Sequence, residues 1–146
     1  MNPPFTIALL RAHQAQSSAL RPRLAEVGLS PGQPKILDFL MLHGGCLQKE
    51  LAALCGIEPA TISRLLDKME GDGLITRASV PGDKRAVRIT LTELGRTRQT
   101  AFQSIRSQIE SQELSGFSPE ERLQFYRFLL RLCANLTQLQ KEDSPV

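Results

Sequence analysis

The stretch Leu51-Ala52-Ala53-Leu54-Cys55-Gly56-Ile57-Glu58-Pro59-Ala60-Thr61-Ile62-Ser63-Arg64-Leu65-Leu66-Asp67-Lys68-Met69 decides the fold. A short helix is expected over about Gln48 to Cys55, closed by Gly56. A second helix opens at Glu58-Pro59, where proline suits the first helical position. Ile62, Leu65, Leu66 and Met69 stand at i, i+3, i+4 and i+7, which is one buried helical face. Two helices that cross through so short a turn need a small residue on the first, here Ala52. They also need a residue tolerant of a positive backbone angle, here Gly56, and an apolar anchor on the second, here Ile62. The set describes a helix-turn-helix.

The other face of the second helix holds Ala60, Thr61, Ser63, Arg64, Asp67 and Lys68. Small and hydrogen-bonding side chains near a helix N-terminus suit insertion into a major groove, where Arg can grip guanine through two bonds and Ser or Thr can reach base edges or phosphate. The groove-facing set is therefore Pro59, Ala60, Thr61, Ser63, Arg64 and Lys68. A solvated polar face is the plain alternative, and the next segment argues against it.

After Gly71-Asp72-Gly73 the period changes. Leu74 to Val80 and Ala86 to Leu91 are expected as strands, with Val87, Ile89 and Leu91 alternating with Arg88 and Thr90. Pro81-Gly82-Asp83-Lys84-Arg85 links them as a charged turn. Arg77, Lys84, Arg85 and Arg88 cluster on this hairpin, which can reach a minor groove, where Arg is drawn to the negative potential. Asp83 is expected to hold Arg85 extended through a charge-assisted hydrogen bond.

Outward from this centre the chain is helical. A first helix is expected over Pro4 to Val27, kinked or broken at Pro22 and stopped by Gly28. A second begins with Ser30 and Gln33 as a capping box and Pro31 at its first position, and ends at Gly44-Gly45. Leu94 to Gln112 is helical. Ser118-Pro119-Glu120-Glu121 opens a last helix that is apolar over most of its circumference. Such a helix must be covered on several sides, and in a short chain a second copy is the natural cover, so a homodimer is expected.

Composition bounds the function. The chain has 146 residues, 41% of them hydrophobic, a net charge of +3 and a pI of about 9.0. That is enough apolar matter for one core and a mild basic excess compatible with a polyanion. There is no Trp and one Tyr, which disfavours single-strand stacking platforms and RNA readout. No segment approaches the ~18 to 20 apolar residues that span a bilayer, and Met1 to Gln16 lacks the pattern of a secretory signal, so a cytoplasmic location is expected. Cys46, Cys55 and Cys133 form no disulfide framework; Cys55 and Cys133 are expected as small core hydrophobes. His13 and His43 lack metal-ligand spacing, and no cofactor is expected. A phosphate loop, a nucleophile elbow and a His-centred or paired-carboxylate site are all missing from the sequence, so an enzyme is not expected.

The run Asp83-Lys84-Arg85-Ala86-Val87-Arg88-Ile89-Thr90-Leu91-Thr92-Glu93-Leu94-Gly95 resembles the signature of the MarR family of regulators: an Asp-x-Arg wing tip, an apolar strand, then Leu-Thr-x-x-Gly. Leu51-Ala52, Thr61 through Glu70, Gly73-Leu74-Ile75 and Gly28-Leu29-Ser30 with Gln33 and Leu37 are similar to the family pattern too. The resemblance covers about Leu24 to Gly95. It implies a mainly α fold with a small β-hairpin: a winged helix-turn-helix lobe over 31–92, dimerisation helices over 1–28 and 93–140, and a flexible tail over 141–146, all in one domain. It implies a homodimeric transcriptional regulator, a repressor, that sets one helix per subunit into successive major grooves of a pseudo-palindromic double-stranded DNA site. Arg85 would enter the minor groove, oriented by Asp83. A small-molecule effector would bind near Arg11, His13 and Leu37. Two alternatives stand beside this: a winged helix that binds only protein, and a redox-sensing regulator that uses Cys46.

Overall fold

The computed structural model describes residues 1–142. The order is α1 (Phe5–Glu26), α2 (Gln33–His43), β1 (Cys46–Leu47), α3 (Gln48–Cys55), α4 (Pro59–Gly71), β2 (Ile75–Val80), β3 (Asp83–Leu91), α5 (Glu93–Glu113) and α6 (Pro119–Glu142). These fall into two compact units, residues 1–107 and the residues from 108 on, with α5 running across the boundary.

The first unit contains the winged helix. Ile36, Leu37 and Leu40 of α2, Leu51 and Cys55 of α3, and Ile62, Leu66 and Met69 of α4 close a core with Ile75 and Ile89 of the sheet. The expected i, i+3, i+4, i+7 face of α4 is the buried one, with Leu65 at its half-buried margin. Gly56 turns α3 into α4 at φ +61, a left-handed conformation that costs glycine nothing. The Ile57 N–H donates to the Ala52 carbonyl at 3.0 Å and so satisfies the end of α3.

The sheet is antiparallel with the order β1-β3-β2. The expected hairpin is present, but its turn is shorter than the charge pattern implied. Val80 pairs with Asp83 across Pro81-Gly82, and the register then jumps so that Ser79 pairs with Val87. Lys84 and Arg85 therefore lie in an irregular part of β3, not in an open loop. The two-residue strand β1, which pairs Cys46 with Ile89 and Leu47 with Arg88, was not expected; no alternation can be read in two residues.

Three boundaries differ from expectation. The helix α1 runs unbroken through Pro22. Its other bonds and its packing, with Leu24 buried at its end, outweigh the one lost N–H donor. The helix α2 starts at Gln33, not at Pro31, because Gly32 sits at φ +88, outside any right-handed helix. The Gln33 side chain still reaches back, its Oε1 accepting from the Ser30 N–H at 2.8 Å, so half of the expected box survives as a turn lock. Lys141 and Glu142 extend α6, whereas they were expected in a loose tail; the remainder of that segment lies outside the described residues.

In the second unit α6 begins with a reciprocal box. The Ser118 N–H donates to Glu121 at 2.8 Å, and the Glu121 N–H donates to Ser118 Oγ at 3.1 Å. No residue of α6 is buried. Cys133 is exposed there, which corrects the expectation of a core thiol; Cys55 is buried as expected.

Candidate nucleic-acid interface

The polar face of α4 divides into two halves. Toward its N-terminus Pro59, Ala60, Thr61 and Arg64 are exposed and Ser63 is half-buried. Among the described residues, the Arg64 side chain makes no hydrogen bond or ion pair. Toward its C-terminus the charges are spoken for. The Lys68 Nζ donates to Asp72 at 2.9 Å. Asp67 and Glu70, one turn apart, both receive Arg77 from β2: its Nη2 lies 2.6 Å from Asp67 Oδ1 and 3.1 Å from Glu70 Oε1. The Arg77 main-chain N–H also donates to Glu70, at 3.1 Å.

The hairpin sorts its cations in the same way. Lys84 and Arg85 are exposed and, among the described residues, have no side-chain partner. Arg88 donates from Nη1 to the Gly45 carbonyl at 2.9 Å, tying β3 to the end of α2 and to β1. Asp83 does hold its neighbour, but through the backbone: its Oδ1 accepts from the Arg85 N–H at 2.9 Å. The expected bond to the guanidinium is not the one made. An Asp bond to the main chain two residues on shapes the turn and leaves the Arg85 side chain free.

The residues expected around an effector do not form one surface. Leu37 is fully buried in the core of the lobe, whereas Arg11 and His13 are exposed on α1. A partly buried polar cluster that the sequence did not reveal lies between α2 and α5. Gln99, fully buried, donates to Asp38 and to the Pro34 carbonyl, and the Arg106 Nη2 donates to the other Asp38 oxygen at 2.7 Å while its guanidinium lies 5.0 Å over the Phe102 ring. Among the described residues, Gln99 Oε1 has no hydrogen-bond partner. At Cys46, burial first and then the Glu50 charge push the thiol above its ordinary range, against the weaker opposing pull of Arg88. Among the described residues no cluster of His, Cys, Asp or Glu is placed to hold a metal ion, and no helix is long and apolar enough to cross a membrane.

A three-helix core carrying a helix-turn-helix, followed by a twisted hairpin with a basic strand, defines a winged helix-turn-helix protein. Residues 27–86 match the model of the MarR family. Solved structures agree over nearly its whole length. A probable transcriptional regulator from Pseudomonas aeruginosa is 28% identical, with 88% of this chain and 96% of that one covered and a TM-score of 0.81. MepR of S. aureus, solved as a DNA complex, is 25% identical, with 92% and 99% covered and a TM-score of 0.85. The organohalide-sensing regulator RdhR, solved with 2,4-dichlorophenol bound, is 25% identical, with 88% and 77% covered and a TM-score of 0.82.

Proposed function

We propose that this protein is a sequence-specific double-stranded DNA-binding transcriptional regulator, acting as a homodimeric repressor on a pseudo-palindromic site. One observation carries the reading. The acidic side chains of the C-terminal half of α4 and its following turn, Asp67, Glu70 and Asp72, are each paired within the lobe, by Arg77 and Lys68, while the Arg64, Lys84 and Arg85 side chains stay exposed and unpaired among the described residues. An ordinary solvated face has no reason to sort its charges this way; a face that meets phosphates does.

In this reading Thr61, Ser63 and Arg64 enter the major groove from the start of α4, with Pro59 and Ala60 small enough to let the backbone approach. Arg64 reads a base edge. Lys84 and Arg85 reach the minor groove or its phosphates, and Asp83 sets the wing backbone that presents them. Lys68, Arg77 and Arg88, each held by partners within the lobe, support the surface that the free cations present. The apolar side chains of α6 join two subunits, so that two α4 helices can reach grooves ~34 to 36 Å apart. A dimer on such a site blocks polymerase by occupancy.

MepR was solved on DNA and RdhR with a chlorophenol. The kinship supports both a DNA partner and an aromatic effector for this chain. With Leu37 sealed in the core, Arg11 and His13 are the members of the expected effector set that a ligand can reach.

Fluorescence anisotropy across a salt series tests the function, first on random duplex DNA and then on sites enriched from a random library. Palindromic enriched sites bound ~10³-fold or more above random DNA, with a steep salt dependence, are the expected result. Absence of binding at low salt would favour a protein-interaction module.

A further inference from the structure

The hairpin cluster expected to face a groove includes Arg77, whose surroundings assign it a different task. Strand alternation sets it on the same face as Ile75, which is buried, and opposite Ile89 of β3, which is also buried. Its side chain is only 22% exposed and ends between Asp67 and Glu70. Its main chain is held as well. The strand β2 is an edge strand, so alternate N–H groups point away from β3 and need a partner. The Glu70 carboxylate supplies one: Oε2 accepts from the Arg77 N–H while Oε1 takes the guanidinium. One carboxylate thus grips both the backbone and the side chain of one residue, and Asp67 grips the same side chain from the preceding turn of the helix.

We propose that Arg77 is a positioning residue: with Asp67 and Glu70 it fixes the angle between the wing and the recognition helix, and so sets the operator specificity of a surface it does not itself offer to DNA. The inference rests on the DNA-binding reading above. The physical basis is the fork of the guanidinium, which can serve two carboxylates in fixed directions, whereas an ammonium acts as a point charge. The clamp closes the hairpin against the C-terminal half of α4. The exposed side chains of the other half, Ala60, Thr61 and Arg64, and the free cations, Lys84 and Arg85, are then presented at a set spacing. A wing that swings relative to α4 still meets phosphates but does not meet bases and minor groove together.

The sign of one substitution separates this from direct phosphate contact. Removing two acidic charges from a DNA-facing lobe raises affinity for any DNA by simple electrostatics, the more so if it also frees an Arg. The clamp demands the opposite for the specific site. The experiment compares wild type, Asp67→Asn/Glu70→Gln, Arg77→Lys and Arg77→Ala by anisotropy on the enriched site and on random duplex DNA, with circular dichroism to show that each variant is folded. For Asp67→Asn/Glu70→Gln the affinity for random DNA rises and the ratio of specific to random affinity falls ~10-fold, as expected when a base contact is misplaced. Arg77→Lys, which keeps the charge without the fork, shows a reduced ratio at an unchanged salt slope.

An unchanged or increased ratio in the carboxamide variant overturns the clamp. So does full retention of the ratio in Arg77→Lys, which serves if the double variant fails to fold. A salt slope smaller by about one in Arg77→Ala would mark Arg77 as a phosphate contact and overturn the clamp as well. Failure of the wild type to bind any DNA would instead remove the functional reading and the clamp with it, so the two failures are told apart by the first titration.

Discussion

Gly95, in the first turn of α5, lies so close to the main chain of Leu74 that a methyl group on its Cα would run into the Leu74 carbonyl oxygen, and would also stand 2.8 Å from Leu91 Cδ1. The approach is drawn tight by Thr92. Its N–H donates to the same Leu74 carbonyl at 3.1 Å, its Oγ1 donates to the Gly73 carbonyl at 2.6 Å, and that hydroxyl accepts from the Gly95 N–H at 3.0 Å. The Leu-Thr-x-x-Gly run is thus the joint at which α5 leaves the winged helix. Gly95→Ala must push α5 away from backbone that cannot move aside. A loss of ~1 to 3 kcal/mol is expected in urea unfolding, from overpacking against a rigid neighbour. Gly71→Ala, where the added methyl meets nothing within 4 Å beyond its chain neighbours and its own helix backbone, serves as control and is expected to cost little. Equal stabilities for the two would show that the joint is slack.

Arg64→Ala and Arg85→Ala should both weaken DNA binding, in different ways. If Arg64 reads a base, its loss costs ~1 to 3 kcal/mol and relaxes preference at one position of the site. Arg85, free at the wing, is expected to weaken all sequences more evenly and to lower the salt slope. Competition titrations against a panel of single-base variants distinguish the two. Wild-type affinity in both would contradict the proposed docking.

Much of this lobe could be read from the chain because its signals were local. The Ala52, Gly56 and Ile62 triad gave the helix-turn-helix, and Ser118 with Glu121 gave the start of α6. What escaped depended on partners distant in sequence. The strand β1 exists only because Ile89 and Arg88 lie beside Cys46 and Leu47. Gln99 and Arg106 converge on Asp38, more than sixty positions away. Arg77 is the instructive case. The clustering of basic residues on the hairpin puts it with the DNA-facing cations, yet its spacing of two from buried Ile75 sets it on the inner face, and Asp67 and Glu70 stand one turn apart to receive it. The irregular register that sets Lys84 and Arg85 within β3 had no counterpart in the hydrophobic pattern.

Asp72 offers a test of electrostatics with a definite sign. The Lys68 hydrogen bond, above all, holds its carboxyl below the usual carboxylate range. A depressed native pKa means stabilisation that is fully present above the unfolded value of ~3.9 and is lost as pH falls through the native value. Asp72→Asn should therefore be less stable than wild type at pH 7, by no more than ~0.3 to 0.5 kcal/mol because the pair is exposed. The gap should shrink as pH drops below ~4. Paired urea titrations at neutral and acid pH measure it. A gap that is constant with pH would assign the effect to the turn rather than to the charge.

Cys46 should be a slow thiol. Burial and the neighbouring Glu50 raise its pKa, so little thiolate is present at neutral pH, and the thiolate is the reactive form. In a Cys133→Ser background, alkylation of Cys46 by iodoacetamide at pH 7 is expected to be slower than that of a free cysteine, and peroxide should leave DNA affinity unchanged. Glu50→Gln should speed alkylation modestly by removing the second of the two causes. Rapid reaction of the unaltered Cys46 would revive the redox-sensing alternative.

The last prediction concerns assembly. Along α6, Leu123, Phe125, Tyr126, Phe128, Leu130, Leu136 and Leu139 are each between 45 and 58% exposed in the single subunit. Side chains of this size are worth ~1.5 to 3 kcal/mol apiece when fully buried, and isolated subunits rarely leave so many uncovered along one helix. A second copy that covered them would recover that free energy, and the two-fold arrangement would present two recognition helices to one face of the DNA. Leu123 and Leu130 are two turns apart and share a face. Leu123→Glu/Leu130→Glu should therefore shift sedimentation from dimer to monomer at micromolar concentration. It should weaken operator binding far more than random-DNA binding, because only a preformed pair places both half-site contacts in a single event. The lobe should remain folded, since neither side chain contributes to its core. A wild-type protein that sediments as a monomer would overturn the dimer, and with it the expectation of a palindromic site.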